Sequence, residues 1–312
     1  MIYTVTLNPA VDYFLEIDGL TLGQVNRSIG ERKAPGGKGI NVSRVLKRLG
    51  YSSEALGFIG GFTGRFIEDA LRDEAIQTNF IKVNGDSRIN VKVHSEEETE
   101  LNGTSPEISK EQLQQLESQL KKLTEGDVLV LAGSVPTTLS VCLYQDMISI
   151  ARKQGAFVCL DTSGESLEKA IQARPSFIKP NHHELGEMYG VDITEVQQAI
   201  PYAKDLVGKG IDYVLVSFAG EGALLATKEE MYFATPPRGI VQNSVGAGDS
   251  TVAGFIAAMQ EGKTDREALS FSVAAGSATA FSKSFCQRKE VEEFSQTIDV
   301  KKWGEVNVDE NL

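Results

Sequence analysis

The segment 243–254, NSVGAGDSTVAG, carries the residue types best suited to chemistry. Gly246, Ala247 and Gly248 come directly before a predicted apolar helix. At the start of a helix, free backbone N–H groups and the helix dipole bind anions such as phosphate. Asp249, in the first turn, could accept a proton from a hydroxyl group beside that phosphate. Asp and Gly are also common at helix starts for structural reasons, so the spacing alone leaves both interpretations open.

The segment 35–44, PGGKGINVSR, could hold a sugar and its phosphate. Gly37 allows the backbone to approach a ligand closely. Lys38 and Arg44 add positive charge, and the amide of Asn41 can both donate and accept hydrogen bonds. A flexible turn with a solvated lysine is the alternative interpretation.

Neither segment matches the better-known phosphate-binding loops. A Walker A loop requires GxxxxGK followed by Ser or Thr, but Gly39 follows Lys38 and Arg32 stands where the first glycine should be. A dinucleotide-binding GxGxxG loop fails because Thr251 stands at the third glycine position. We therefore do not expect a P-loop NTPase or a dinucleotide-dependent dehydrogenase.

Further polar candidates follow predicted strands or lie in outlying ones. Asp12 follows the first strand, where a carboxylate suits sugar hydroxyls and a turn-capping Asp is equally consistent. Arg27 and Arg88 could each bind a phosphate in a bidentate manner, or could be solvated strand residues. Asn181 and Glu184 have the spacing of a helix capping box, and could instead order water around a magnesium–nucleotide complex.

Small residues also follow two other predicted strands. Ser217, Gly220 and Gly222 suit either a nucleotide phosphate or the entry to a hairpin. Ser134 could be part of an ordinary strand-to-helix connection.

These candidates need elements to position them. Short apolar runs alternate with stretches of helical periodicity, which predicts βαβ units with a mostly parallel sheet. The predicted strands are 2–7, 55–59, 128–132, 157–160, 177–179 and 213–217. The predicted helices are about 38–49, 64–74, 109–123, 138–153, 182–189, 194–208, 247–261 and 264–283, with a hairpin near 222–235. The run DVLVLAG is apolar on both faces, as a buried parallel strand requires.

Two regions interrupt this alternation. Residues 11–33 and 87–103 alternate apolar and polar side chains, as exposed antiparallel strands do. We predict that they form a small sheet that projects from the core and covers a site. The chain, 1–312, would then be a single domain with this lid inserted in it.

Composition limits the possible partners. Of the 312 residues, 31 are Lys or Arg and 43 are Asp or Glu, so the formal charge is −12, which argues against a nucleic acid or an anionic membrane as partner. No apolar run is long enough to span a bilayer, and the start lacks the basic region of a signal peptide. Three scattered cysteines and three histidines predict neither a disulfide framework nor a zinc site. We expect a cytoplasmic protein.

Taken together, these segments resemble the ribokinase-like (PfkB-type) carbohydrate kinases. The resemblance covers nearly the whole chain, in the family's order: TLNPAVD, GGKGINVSR, LAGSVP, KPNHHE, SFAGEG and NSVGAGDSTVAGF. An ordered match of this many parts is far more specific than any one motif. TLNPAVD and GGKGINVSRVL are most similar to the hexose-phosphate kinases of the family. The fold implied is α/β, a ribokinase-like doubly wound, mostly parallel sheet with a small antiparallel β-sheet lid.

The resemblance implies roles at matching positions. Asp249 matches the catalytic base that takes the acceptor's proton during attack on the γ-phosphate of ATP, and the N–H groups of Gly246, Ala247 and Gly248 match an anion hole. Sugar-phosphate contacts are implied at Asp12, Gly37, Lys38, Asn41, Arg88, Ser134 and, with looser alignment, Arg27. Nucleotide contacts are implied at Lys179, Ser217, Gly220, Gly222 and Gly248. Asn181 and Glu184 match residues that act on Mg²⁺ through water, with no direct metal ligand.

The expected activity is phosphorylation of fructose 1-phosphate to fructose 1,6-bisphosphate with ATP and Mg²⁺; tagatose 6-phosphate is the alternative acceptor. A nucleoside or ribose kinase is disfavoured because Lys38 adds a cation suited to a phosphorylated acceptor. A catalytically silent sugar-phosphate sensor is disfavoured because Asp249 and its flanking glycines are intact. The lid predicts a homodimer through lid contacts, or a lid face that closes over its own site. The segment 282–288 departs from the family's usual glycine-containing stretch and is expected near the adenine pocket.

Overall fold

The computed structural model describes residues 1–303, which form a large sheet with helices on both faces and a small separate sheet. In chain order, the strands are β1 (Ile2–Thr6), β2 (Ala10–Ile17), β3 (Ser28–Gly36), β4 (Ser53–Ile59), β5 (Gln77–Thr78), β6 (Ile81–Lys82), β7 (Arg88–His94), β8 (Glu98–Asn102), β9 (Val128–Ala132), β10 (Phe157–Asp161), β11 (Phe177–Ile178), β12 (Tyr213–Ser217), β13 (Ala223–Thr227), β14 (Met231–Thr235) and β15 (Asp299–Lys302). The helices are α1 (Lys38–Arg48), α2 (Gly61–Asp73), α3 (Lys110–Leu120), α4 (Leu143–Lys153), α5 (Gly164–Ala170), α6 (His182–Tyr189), α7 (Val196–Gly208), α8 (Ala247–Gln260), α9 (Asp265–Ala280) and α10 (Arg288–Ser295).

The large sheet is parallel in its centre and antiparallel at one edge. Its strands follow the order β15-β14-β13-β12-β11-β10-β9-β1-β4-β5, with β6 also beside β4. Neighbouring strands from β5 to β12 are parallel, whereas β12 to β15 are antiparallel. Because the parallel strands point the same way, their carboxyl ends open onto one edge of the sheet, where the polar residues that follow them can meet.

Alternate residues of the central strands pack against helices on opposite faces. In β9, Leu129 and Leu131 join a core with α3, α4 and α7, whereas Val128 and Val130 join a second core with α1, α8 and α9. All four side chains are buried. The strand is covered on both faces, which confirms the α/β fold class predicted from runs such as DVLVLAG.

The small sheet, which we call the lid, has the strand order β3-β2-β7-β8. The hairpins β2–β3 and β7–β8 are antiparallel, and they join through a parallel β2–β7 pairing in which Asp12 lies opposite Asn90. These strands lie within or close to the predicted ranges 11–33 and 87–103. Since β2 begins soon after β1 ends, the lid projects from the carboxyl end of a central strand.

Five elements of the structure were not predicted from the sequence: α5, α10, the two-residue strands β5 and β6, and β15. Helix α10 buries only Val291, and β15 is a four-residue edge strand that buries only Val300, so neither carries a strong apolar pattern. The predicted hairpin near 222–235 is confirmed as β13–β14, and the two predicted helices that follow it are α8 and α9. Within residues 1–303, no helix is long and apolar enough to cross a membrane.

Candidate active site

A cleft of about 350 Å³ lies between the lid and the carboxyl ends of β1, β9 and β10. Its walls come from these strand ends, the starts of α1 and α8, and the lid strands. The lining residues are Thr6, Asn8, Asp12, Gly37, Lys38, Asn41, Arg88, Asn90, Lys92, Glu100, Asn102, Ala132, Gly133, Ser134, Thr162, Ser163, Val245, Gly246 and Asp249. Eight of the residues singled out in the sequence are therefore brought together here: Asp12, Gly37, Lys38, Asn41, Arg88, Ser134, Gly246 and Asp249.

Helix α8 places a carboxylate at one wall of the cleft. Gly246 ends the preceding loop in the left-handed conformation, with φ +79°, and Ala247 begins the helix. Asp249 then lies in the first turn, with only 5% of its surface exposed. Its Oδ2 accepts a hydrogen bond of 2.8 Å from Nδ2 of Asn41 on α1. This contact joins two helices that start more than two hundred residues apart in the sequence.

The pKa of Asp249 is raised to about 6. Burial is the largest cause, and the negative charge of Asp161 adds to it, whereas Lys38, the hydrogen bond from Asn41 and Lys179 act in the opposite direction. A carboxyl group with a pKa near 6 is mostly ionised at neutral pH and is still basic enough to accept a proton. These are the properties that a general base requires.

Close backbone contact fixes the start of α1 against the end of β1. Gly37, the residue before the helix, has φ +122°, and a Cβ there would lie 2.6 Å from Cγ2 of Thr6. The hydroxyl of Thr6 accepts a hydrogen bond of 2.9 Å from the N–H of Ile40. Glycine is therefore required at position 37, and this tight turn brings Lys38 and Asn41 to the cleft.

A buried carboxylate, Asp161, joins two lysines at the end of β10. Its Oδ1 lies 3.2 Å from Nζ of Lys38 and 3.5 Å from Nζ of Lys179. Asp161 is 1% exposed and Lys179 is 6% exposed. Burial opposes the ionisation of Asp161, but the two ammonium groups hold its pKa below the usual value, and Asp161 in turn raises the pKa of Lys38. Asp161 and Lys38 are therefore both charged at neutral pH.

Lys179 also approaches the start of α8. Its Nζ lies 3.4 Å from the position that a Cβ would take on Gly248. An ammonium group beside the free N–H groups of a helix start makes a region of positive potential. This part of the site can hold an anionic group such as a phosphate.

The lid contributes a row of polar side chains. Arg88, Asn90 and Lys92 alternate along β7 and line the cleft. Nδ2 of Asn90 donates a hydrogen bond of 3.0 Å to Oδ1 of Asp12, and Nζ of Lys92 lies 2.5 Å from Oε1 of Glu100. Nε of Arg88 is buried and has no hydrogen-bond partner among the described residues. Arg88 therefore keeps capacity for an anionic ligand, whereas Lys92 is already paired.

Asn181 and Glu184 form a reciprocal capping box at the start of α6. The N–H of Glu184 donates to Oδ1 of Asn181, and the N–H of Asn181 donates to Oε2 of Glu184, both at 2.8 Å. A β-bridge joins Asn181 to Ser217 at the end of β12. Gly220 and Gly222 follow in the turn to β13. These five residues lie outside the cleft lining, and they place the α6 start and the β12 end side by side.

Arg27 is the predicted substrate residue that the fold leaves outside this cleft. It is an exposed residue directly before β3, and its neighbour Ser28 pairs with Ile17 at the far end of the β2–β3 hairpin. The cleft lies at the opposite end of this hairpin, near Gly37.

Asp161, Asn90 and Lys92 were not singled out in the sequence, although signals for them existed. Asp161 directly follows the predicted strand 157–160, where residues collect at the carboxyl edge of a parallel sheet. Asn90 and Lys92 follow Arg88 at the spacing of two that places side chains on one face of a strand.

The donor groups fit a magnesium ion that is held mainly by phosphate and water. Within residues 1–303, no group of three or more His, Cys, Asp or Glu side chains is arranged to hold a metal ion. Two carboxylates keep oxygen capacity for such an ion: Oδ2 of Asp161 is buried with no hydrogen-bond partner among the described residues, and Glu184 commits one oxygen to its capping box. Mg²⁺ commonly keeps several waters and takes few protein ligands beside substrate phosphates.

Comparison with known proteins agrees with this geometry. A family model described as pfkB family carbohydrate kinase matches residues 5–290. The 1-phosphofructokinase of Bacillus subtilis (strain 168) is 51% identical over 298 residues, which cover 96% of this chain and 97% of that protein. The tagatose-6-phosphate kinase of Staphylococcus epidermidis (strain ATCC 35984) is 36% identical over 274 residues, which cover 86% and 88%. The tetrameric inhibited form of phosphofructokinase-2 from Escherichia coli superposes with a TM-score of 0.89 at 30% identity, covering 95% and 98% of the two chains.

Proposed function

The chain belongs to the pfkB family of carbohydrate kinases, and on this premise we propose that it transfers a phosphoryl group from ATP to fructose 1-phosphate. The product is fructose 1,6-bisphosphate. The observation that carries the proposal is the buried carboxylate of Asp249, which faces the cleft from the first turn of a glycine-rich helix start. The choice of acceptor rests on the 51% identity to the B. subtilis enzyme.

In this reaction, Asp249 acts as the general base. The acceptor hydroxyl oxygen attacks the γ-phosphorus of ATP, the bond from this phosphorus to the ADP oxygen breaks, and the hydroxyl proton passes to the carboxylate. Asn41 holds Oδ2 at 2.8 Å and so orients the group. With its pKa at about 6, the carboxylate is ionised before the step at neutral pH.

The start of α8 stabilises the negative charge on the phosphoryl group that is transferred. We propose that the backbone N–H groups of Gly246, Ala247 and Gly248 bind the oxygens of the transferring group, because donors at a helix start stabilise negative charge that develops beside them. The N–H of Ala247 donates to the carbonyl of Ser244 at 3.2 Å, so it would exchange this bond for one to the ligand. Lys179 adds positive charge beside Gly248 and is held there by Asp161. Mg²⁺ bound with ATP supplies neutralisation of phosphate charge.

Asn181 and Glu184 are the residues that would hold this ion through water. Ser217, Gly220 and Gly222, at the adjacent end of β12, would contact the nucleotide.

The lid binds the acceptor in this proposal. Arg88, whose buried Nε has no partner among the described residues, binds the phosphate already present on the sugar. Asp12, oriented by Asn90, accepts hydrogen bonds from sugar hydroxyls. Lys38 contributes positive charge at the base of the cleft, and Ser134 lies at its mouth, where it is exposed. In this proposal, the sugar phosphate therefore lies on the lid side and the reacting hydroxyl lies beside Asp249.

The test is an ADP-release assay with Mg-ATP and four acceptors: fructose 1-phosphate, tagatose 6-phosphate, fructose 6-phosphate and fructose. We expect the highest kcat/KM for fructose 1-phosphate. A preference for tagatose 6-phosphate, the second candidate because of the S. epidermidis relative, would overturn the acceptor and keep the reaction. Asp249→Asn is the control. If the wild type releases no more ADP than this variant with any of the four acceptors, the kinase function is overturned and a sugar-phosphate sensor is favoured.

We also propose that the lid contributes to a homo-oligomer. Ile29 on β3 is 75% exposed and Leu101 on β8 is 59% exposed, which is unusual for large apolar residues of a sheet. The inhibited form of the E. coli relative is described as tetrameric. Sedimentation of the wild type and of Leu101→Lys tests this proposal, and a wild type that sediments as a monomer would overturn it.

A further inference from the structure

The segment 284–286, between α9 and α10, lies against the start of α8. A Cβ at Gly246 would lie only 2.4 Å from Cε1 of Phe285, so the phenyl ring touches the residue that precedes the helix. Gly246 has the left-handed φ of +79° that lets the loop turn into α8. The ring therefore covers this turn and restricts its movement.

Two arginines of α1 hold the ring in place. The guanidinium carbons of Arg44 and Arg48 lie 4.9 Å and 5.7 Å from the centre of the Phe285 ring. Arg48 also donates hydrogen bonds to the carbonyl of Phe285 and, at 3.1 Å, to the hydroxyl of Ser284. Arg44 is itself fixed by Glu74, with N···O distances of 2.6, 2.9 and 3.0 Å. Both the ring and the backbone of Phe285 are thus restrained from α1.

A chain of hydrogen bonds joins the same segment to the carbonyl of Gly246. The N–H of Cys286 donates to Oγ1 of Thr279 at 3.1 Å, and the hydroxyl of Thr279 donates to Oγ of Ser250 at 2.8 Å. The hydroxyl of Ser250 donates to the carbonyl of Gly246 at 2.8 Å. All three side chains are buried. Gly246 is therefore packed against the Phe285 ring on one side, and its carbonyl is held by these three hydrogen bonds.

One face of α1 reaches both ends of the first turn of α8. Asn41, Arg44 and Arg48 are spaced at i, i+3 and i+7, which places them on the same side of the helix. Asn41 binds the carboxylate of Asp249, and the two arginines hold the ring against Gly246. A movement of this turn would change the position of the base relative to the N–H groups beside it.

We propose that Phe285 is a positioning residue for phosphoryl transfer: its ring, held by Arg44 and Arg48, fixes the orientation of the N–H groups at the start of α8 relative to Asp249. The inference rests on the proposed function for its kinetic consequences. It gives the atypical segment 282–288 a role on the phosphate side of the site.

The first test compares Phe285→Leu and Phe285→Ala with the matched control Phe294→Leu. Phe294 is also partly buried against the same core, but its ring packs edge-on against Phe281, with centroids 5.9 Å apart. Since misplacement by about 1 Å can cost about 100-fold in rate, we expect Phe285→Ala to lower kcat by about that factor, with KM little changed. Phe285→Leu should lose less and stay folded. Phe294→Leu should lower the Tm and leave kcat unchanged.

The second test is a double-mutant cycle with Gly246→Ala. In the wild type the new methyl group meets the ring, whereas in Phe285→Ala that obstacle is absent. The further loss in kcat caused by Gly246→Ala should therefore be smaller in the Phe285→Ala background. Additive losses of kcat in the double-mutant cycle would overturn the inference. It would also be overturned if Phe285→Leu and Phe285→Ala kept the wild-type kcat, or if Phe294→Leu lost as much kcat as they do.

A third readout does not depend on turnover. Hydrogen–deuterium exchange of residues 246–254 should be faster in Phe285→Leu than in the wild type and unchanged in Phe294→Leu. If the wild type phosphorylates none of the acceptors, the proposed function fails, while this measurement still decides whether Phe285 orders the turn. Unchanged exchange in Phe285→Leu would overturn the positioning role.

Discussion

Replacing Asn41 with leucine should move the acid limb of the pH–rate profile to higher pH. Nδ2 of Asn41 donates a hydrogen bond of 2.8 Å to the buried carboxylate of Asp249 and favours its ionised form. A hydrogen bond to a charged group contributes about 1.5–3 kcal/mol, and a pKa unit corresponds to about 1.4 kcal/mol. Removal of this bond should therefore raise the pKa of Asp249 by about one to two units from its value of about 6.

The direction follows from the form in which the base acts. Asp249 accepts a proton only when ionised, so wild-type kcat/KM should fall as the pH drops through about 6. In Asn41→Leu the fall should begin about one to two units higher, so at pH 7 the ionised fraction changes from about nine-tenths to between about a half and a tenth. At pH 9 the variant should recover most of this loss.

The assay is kcat/KM for fructose 1-phosphate between about pH 5 and pH 9, with Asn90→Leu as the matched control. Asn90 is also a cleft asparagine that donates to a carboxylate, but its partner is Asp12. A sugar phosphate titrates near pH 6 by itself, at about the second pKa of a phosphate ester, and does so identically for every variant. An acid limb that stays in place in Asn41→Leu, or that moves as far in Asn90→Leu, would refute the reasoning.

Three further changes have definite expected outcomes. Asp249→Asn should lower kcat by about 10²–10⁴-fold with KM nearly kept, and a near-normal kcat would contradict the base assignment. The pKa of Asp249 is higher in the folded protein than in the unfolded chain, so the stability that this group contributes at low pH is lost as the pH rises through about 6. In thermal melts, Asp249→Asn should therefore be more stable than the wild type by about 2–3 kcal/mol at pH 8 and equal to it near pH 4. Asp161→Asn should lower the free energy of unfolding by about 3–5 kcal/mol in urea titrations, since two lysines lose their buried partner, and an unchanged midpoint would count against this network. Gly254→Val should destabilise by about 1–3 kcal/mol because a Cβ there lies 2.8 Å from Cβ of Ala275, whereas Gly208→Ala, with open space around it, should not lower the Tm.

The central strands of the large sheet and their alternation with helices were predictable because their patterns are local, whereas the order of the strands was not predicted. The run 128–132 is buried on both faces of the sheet, and its uninterrupted apolar sequence predicted this burial. The capping box at Asn181 and Glu184 was also local, since both partners lie within one turn. The lid strands were found by their alternation, but alternation does not specify which strands are neighbours, so the parallel β2–β7 pairing could not be predicted.

The site was only partly predictable because its decisive contacts join distant segments. Asp249 and Asn41 were each singled out, but their hydrogen bond spans 208 positions. The pKa of Asp249 depends on burial and on Asp161, neither of which local sequence reports. Likewise, nothing near Phe285 in the sequence indicates that its ring lies on Gly246.

The balance of charges along the cleft has a consequence for how fast substrates arrive. Three lining residues are cationic and three are acidic: Lys38, Arg88, Lys92, Asp12, Glu100 and Asp249. The cleft therefore offers no net attraction at long range, while the chain as a whole carries a formal charge of −12 that repels a sugar phosphate and a nucleotide. Because added salt screens that repulsion, the rate at which substrates encounter the protein should rise with ionic strength. Electrostatic steering into a basic pocket would instead make this rate fall with ionic strength. Recognition is left to contacts that act only once the substrate has entered.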